Sequence, residues 1–112
     1  TDPVLLKIAV GNIFSNALKF QKKYPTEPHR VEVKAVAIGR KVQISIRDNG
    51  EGIPELHQQK IFDMFYRATA NAPGSGLGLY IAKEAVQKLG GVISVNSVFG
   101  EGSTFTIELP EK

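Results

Sequence analysis

The chain has 112 residues, 42% of them apolar, which suits one domain with one real core. No stretch of about 18 apolar residues occurs, so nothing reads as a membrane span, and no basic patch followed by an apolar run reads as a signal peptide. Cysteine is absent, which removes disulfides and thiolate metal sites and fits a cytoplasmic setting. The net charge of +3 is small and scattered, so the composition argues against nucleic acid as a partner and for a mildly basic surface.

Asp2-Pro3 has the form of a helix start, a capping carboxylate followed by proline at the first helical position. A helix is expected from about Pro3 to Lys22, with Leu6, Ala9, Val10, Ile13, Ala17 and Phe20 as its apolar stripe. The prolines of Tyr24-Pro25-Thr26-Glu27-Pro28 make a loop. Val31 to Ile38 and Lys41 to Asp48 are rich in β-branched or alternating residues and read as two strands turning at Gly39-Arg40. Asn49 to Pro54 is glycine-rich, and Glu55 to Phe65 is expected as a short helix with Leu56, Ile61, Phe62 and Phe65 making apolar contacts. Arg67 to Gly74 has the small, polar, proline-bearing composition of a mobile loop. Gly74-Ser75-Gly76-Leu77-Gly78 opens a helix to about Leu89, whose inner face is expected to be Ile81, Ala82, Ala85, Val86 and Leu89, and Gly90-Gly91 ends it. Val92 to Ser97 and Ser103 to Leu109 are the last strands. This order predicts an α+β, two-layer sandwich, with helices on one face of a mixed, largely antiparallel sheet.

Four features sit badly with a plain core. On the first helix Leu5, Ile8, Asn12, Asn16 and Lys19 share a stripe that changes from apolar to amide and ammonium. Amide oxygens are hard, neutral ligands suited to magnesium, and an ammonium can neutralise phosphate; amides that merely hydrogen-bond a neighbouring loop are the competing reading. Asp48 ends its strand on the apolar phase, where an unpartnered carboxylate is costly. In Asp48-Asn49-Gly50-Glu51-Gly52 a carboxylate could accept from the amino group of adenine, and the glycines leave room for a planar ligand; an ordinary Asp-Asn-Gly turn is the alternative. The cluster Gly74 to Gly78 before a helix is a phosphate-binding candidate, although no Gly-Lys-Ser/Thr follows, and taken alone it reads more readily as a flexible loop before a helix. Arg67 follows Phe62, Phe65 and Tyr66, which could aim its guanidinium at a terminal phosphate or leave it on the surface. His29 and His57 read as solvated, and no cluster suggests zinc.

In this order the segments resemble the GHKL superfamily of ATP-binding domains and, within it, the sensor histidine kinases. Asn12 to Phe20 is similar to the family's N box, Asp48 to Ile53 to its first glycine box, and Ile61 to Arg67 to its F box. Gly74 to Leu79 is similar to the second glycine box, and Gly100 to Phe105 to the closing glycine motif. The resemblance runs over nearly the whole chain and implies a Bergerat-type fold, with ATP and magnesium as cofactors. It implies that Asn16 binds magnesium with help from Asn12, that Lys19 contacts phosphate, and that Phe20 packs on the nucleoside. It further implies that Asp48 reads adenine and that Gly50, Gly52 and Ile53 line the base pocket. The lid would run from Arg67 to Gly74. Gly76 and Gly78 would admit the phosphates, Phe65, Gly74, Ser75, Leu77 and Leu79 would also belong to the ATP site, and Ser103 and Thr104 would make minor contacts near the base. Asn16, Lys19 and Arg67 are the implied catalytic residues.

Hydrolysing members of the superfamily carry a glutamate four residues before the magnesium-binding asparagine. Asn12 stands there in this chain and cannot act as a general base. The resemblance therefore implies γ-phosphate transfer to a histidine on a separate dimerisation hairpin, in a homodimer, with a response regulator downstream. It assigns residues 1–112 to the catalytic domain alone. The hairpin and sensor, and the strand that relatives have before the N-box helix, would lie elsewhere. The domain would sit in the cytoplasm without touching membrane, and the full protein could carry a membrane-anchored sensor. The alternatives are a GHKL-type ATPase or conformational switch, a serine kinase of a regulatory protein, and a degenerate binding module.

Overall fold

The computed structural model describes residues 2–66 and 76–110. Helix α1 spans Pro3–Lys19. The Asp2 carboxylate accepts from the N–H groups of Val4 (2.9 Å) and Leu5 (3.3 Å), satisfying donors that have no partner in the first turn. Ala9, Ile13 and Ala17 form its buried stripe. The helix ends three residues before the expected Lys22. The Phe20 carbonyl, which a continuing helix would spend on Tyr24, accepts instead from the Glu51 N–H at 2.9 Å.

Strands β1 (Val31–Ile38) and β2 (Lys41–Asp48) pair antiparallel from Val31 opposite Asp48 to Ile38 opposite Lys41. Helix α2 is only Glu55–Gln58. The longer helix expected to Phe65 does not form. Lys60, Asp63 and Tyr66 donate to the carbonyls of His57, Lys60 and Asp63, a succession of three-residue turns. Leu56 is exposed, contrary to expectation, while Ile61 and Phe62 pack on the core, Phe62 edge-on to Phe105 with centroids 6.1 Å apart. Helix α3 is Gly78–Lys88. Ala82, Ala85 and Val86 are buried, but Ile81 lies at the surface and leaves the inner face assigned to it. The Gly91 N–H closes a bond to the Val86 carbonyl at 3.0 Å, a six-residue closure that stops the helix. Strands β3 (Val92–Val98) and β4 (Gly102–Pro110) complete the fold, each slightly longer than expected.

The sheet order is β1-β2-β4-β3, and all three pairings are antiparallel; no parallel pair occurs among the described residues. Alternation puts Ile44, Ile46, Phe105, Ile107 and Leu109 on one face, under Ala9 and Ile13 of α1 and Ala82, Ala85 and Val86 of α3. This is the expected two-layer α+β sandwich. The same alternation decides the site: Asp48 faces Ser103 on the inner, core side, whereas Thr104 pairs with Arg47 on the other.

Candidate functional site: a carboxylate, a docked glycine loop and two helix ends

Asp48 closes β2 with 9% of its surface exposed. Burial pushes its pKa above the usual carboxylate value, opposed by the Gly50 N–H, by the charge of nearby His29 and by the Ser103 N–H. The Gly50 N–H lies 2.8 Å from Oδ1. The carboxylate thus has the partners that burial requires, and keeps acceptor capacity for a ligand.

Residues 50–53 are fixed on both sides. The Glu51 N–H binds the Phe20 carbonyl at the end of α1, and the Gly100 N–H binds the Glu51 carbonyl at 2.6 Å. The Ile53 N–H donates to Ser97 Oγ at 2.7 Å. Gln58 Nε2 bridges the carbonyls of Ile53 (2.8 Å) and Ser97 (2.9 Å). A Cβ at Gly50 would meet the Phe20 carbonyl oxygen and Asp48 Oδ1. At Gly52, where φ is +74°, a Cβ would run into the Val98 carbonyl. At both positions the missing Cβ lets the loop close against α1 and β3, a requirement beside the room for a planar ligand that the sequence suggests.

Across the site α3 begins beside α1. A Cβ built on Gly78 would lie 3.5 Å from Asn12 Oδ1. The Asn12 amide nitrogen donates to the Ile8 carbonyl at 2.8 Å, so the side-chain oxygen is the end turned to α3. Asn16, one turn on, is half-buried, and Lys19 is exposed. Phe65, 62% exposed, has φ +62°, and its N–H donates to the Gly76 carbonyl at 2.9 Å. Gly76 must be glycine at this crossing, because a Cβ would stand 2.7 Å from the Phe65 carbonyl carbon. Leu79 and Ile53 pack against the core rather than standing free.

Beside Asp48, Gly50 and Glu51 therefore meet the end of α1 at Phe20, Gly52 and Ile53 meet β3 at Val98 and Ser97, and Asn12 meets the start of α3 at Gly78. Leu77 sits between Gly76 and Gly78 as the residue that precedes α3. Of the two residues expected near the base, Ser103 pairs with Asp48 on the inner phase of β4, and Thr104 pairs with Arg47 on the other phase. Arg67, Gly74 and Ser75, and with them the lid assigned to 67–74, lie outside the described residues. The histidines also differ from expectation. His57 Nδ1 is hydrogen-bonded to the Tyr66 hydroxyl, and His29 is half-buried with Nε2 lacking a partner. Sequence reasoning missed Ser97 and Gln58, whose roles come from pairings 39 and more residues apart. An open cleft of about 170 Å³, lined by Arg30, Glu32, Arg47, Asp48, Asn49 and Glu101, carries both signs of charge. None of the α1 or α3 site residues lines it.

Residues 1–112 match the family described as histidine kinase-, DNA gyrase B-, and HSP90-like ATPases, and the chain belongs to that family of ATP-binding domains. Its relatives place it more narrowly. It is 42% identical over 107 residues to the sensor histidine kinase WalK of Bacillus subtilis, covering 92% of this chain and 17% of that protein. Its fold is similar to the mycobacterial sensor histidine kinase MprB, with a TM-score of 0.82 and 35% identity over 98% of this chain and 72% of that one. It is also similar to the catalytic domain of histidine kinase ThkA, with a TM-score of 0.81 and 27% identity over 99% of this chain and 70% of that one. The chain is a catalytic ATPase domain of the sensor histidine kinase type, and it spans about a fifth of the length of the curated relatives it matches. Among the described residues no helix is long and apolar enough to cross a membrane.

Proposed function

We propose that this domain binds Mg-ATP and donates the γ-phosphate to a histidine on a separate dimerisation hairpin, in a homodimer that passes the phosphoryl group to a response regulator. The observation that carries the reading is the buried Asp48 carboxylate, held at the end of β2 beside a glycine loop docked on the C-terminus of α1. A buried acceptor of this kind favours a base that offers an amino group and disfavours one that offers a carbonyl, since two opposed acceptors would both go unpaired.

The phosphates would run toward Asn12, Asn16, Lys19 and the start of α3. There, the first turn of α3 and the helix dipole favour anions. Among the described residues no cluster of three His, Cys, Asp or Glu could hold a metal. That fits a magnesium ion carried in by the triphosphate and held by few protein atoms. Asn12 Oδ1, turned to α3 by the bond its amide nitrogen makes to Ile8, is a suitable hard oxygen, and Asn16 lies one turn away on the same stripe. Bound there, magnesium would neutralise charge on the β- and γ-phosphates.

The residues' own work is positioning and charge neutralisation. Lys19 offsets phosphate charge, and Arg67 is assigned the same task from its place after the F box. The bond between the γ-phosphorus and the β-γ bridging oxygen breaks while an imidazole nitrogen of the acceptor bonds to phosphorus, leaving ADP. Asn12 cannot take a proton from water, so transfer is favoured over hydrolysis. The domain assignment of residues 1–112 and a cytoplasmic location, where ATP is available, belong to the same reading. Its test is phosphorylation of the cognate hairpin in trans by radiolabelled ATP, with little steady hydrolysis by this chain alone. Rapid hydrolysis without acceptor would move the protein to the ATPase class.

A further inference from the structure

Ser97 lies on β3, outside every motif used above. Its hydroxyl makes three contacts: the Ile53 N–H at 2.7 Å, the Gly102 carbonyl at 2.9 Å and Ser103 Oγ at 2.7 Å. A serine hydroxyl has one proton and two lone pairs. The Ile53 N–H can only donate, so it occupies one lone pair. The Gly102 carbonyl can only accept, so it takes the proton. The Ser103 contact must then fill the second lone pair, with the Ser103 hydroxyl as donor. Ser103 has thereby spent its single proton and presents only lone pairs to any further partner.

Ser103 stands opposite Asp48 across the β2–β4 ladder, on the same inner face, and is buried. Side chains in such a pair lie about 5 Å apart at Cβ. We infer that Ser97 is a positioning residue for base selection, which acts through Ser103 by fixing its hydroxyl as an acceptor beside the Asp48 carboxylate. Two adjacent acceptors suit the two N–H groups of an exocyclic amine and oppose the carbonyl of an oxopurine. Ser97 itself touches no ligand.

This inference rests on the nucleotide reading, and one set of titrations separates the two. ADP and inosine diphosphate, which carries a carbonyl in place of the adenine amine, are titrated calorimetrically into the wild-type chain, Ser97→Ala, Ser97→Thr, Ser103→Ala and the S97A/S103A double variant. In S97A the Ser103 hydroxyl is released to turn its proton toward a carbonyl. The preference for ADP over inosine diphosphate should fall about five- to thirtyfold, the range set by one such contact. S97T keeps the hydroxyl and should hold the preference within about twofold of wild type. In the S103A background, adding S97A should change the preference no further. Equal weakening of both ligands in S97A would mean that Ser97 only braces the loop, and would overturn the assignment. A full S97A effect in the S103A background would do the same. If S97A fails to fold, Ser97→Cys keeps the volume with a poor donor and acceptor, and the same ratio decides. A wild-type chain that binds neither nucleotide overturns the nucleotide reading and this inference together.

Discussion

The base end and the phosphate end of the site are built differently. Around Asp48 the backbone of residues 50–53 is sewn to α1, α2 and β3 by hydrogen bonds to Phe20, Ser97, Gln58 and Gly100, most of them between residues distant in sequence. The phosphate end is joined differently among the described residues. Phe65 binds Gly76, His57 binds Tyr66, and Asn12 turns its oxygen to Gly78 while bonding its own helix. The base end is preorganised and its specificity is set before a ligand arrives, whereas the phosphate end supplies the Lys19 charge and the start of a helix. Substitutions at the base end should therefore change stability or base choice. Substitutions at the phosphate end should change charge-dependent binding and transfer while leaving the fold alone.

The largest expected effect breaks the base end directly. Asp48→Asn should weaken ADP binding roughly a hundredfold or more by calorimetry, because an amide cannot match the carboxylate as an acceptor. Unchanged affinity would remove Asp48 from base recognition. Next, Gly52→Ala forces a Cβ into the Val98 carbonyl at a positive φ and should cost about 2–3 kcal/mol of stability by denaturant titration. A neutral result would show that the loop is not held as described. At the other end Asn16→Ala should leave stability nearly unchanged. ATP titrations with magnesium and with chelator should converge, from a wild-type difference of about tenfold or more. A surviving magnesium dependence would place the metal on other atoms.

Asp48 also makes the comparison visible in pH. Its folded pKa is raised by burial, so between the ordinary aspartate value and the raised one the folded chain binds more protons than the unfolded chain. The Asp48 contribution to stability therefore falls as pH rises through that window. It is unfavourable above the window and absent below it. Relative to wild type, Asp48→Asn should be most favourable to stability at neutral pH, and that advantage should shrink on acidification through the window. ADP affinity of the wild type should fall over the same window, as the acceptor gains a proton. The smallest effect is expected for Lys19→Ala. It is exposed, so its loss should move stability by no more than about 0.5 kcal/mol while lowering ATP affinity severalfold, more at low than at high salt.

Much of this was legible in the residues. Alternation in Lys41 to Asp48 placed the strand, its inner face and the anomalous aspartate, and the observed β2 is the same span. Asp2-Pro3 marked the start of α1, and the apolar stripe through Ala9, Ile13 and Ala17 gave its buried side. These are periodic or local signals, carried by neighbours in the chain. The failures were of another kind. α1 stops at Lys19 because Glu51 claims the Phe20 carbonyl, and the Phe62–Phe65 stretch breaks into turns rather than extending α2. Ser103 and Thr104 were both expected near the base, and the two lie on opposite phases of β4, Ser103 on the side that holds Asp48. A one-residue shift in a strand exchanges the two faces, so only the register could decide between Ser103 and Thr104.

The chain by itself determined the element order, the two hydrophobic faces and the presence of one carboxylate on the wrong side of a strand. It did so because periodicity and capping act over a few residues. Tertiary structure alone decided that the glycines at 50 and 52 serve docking, that Ser97 faces Ser103, and that the Asn12 oxygen meets Gly78. Those outcomes depend on which distant backbone atoms arrive at hydrogen-bonding distance, and no local pattern encodes that.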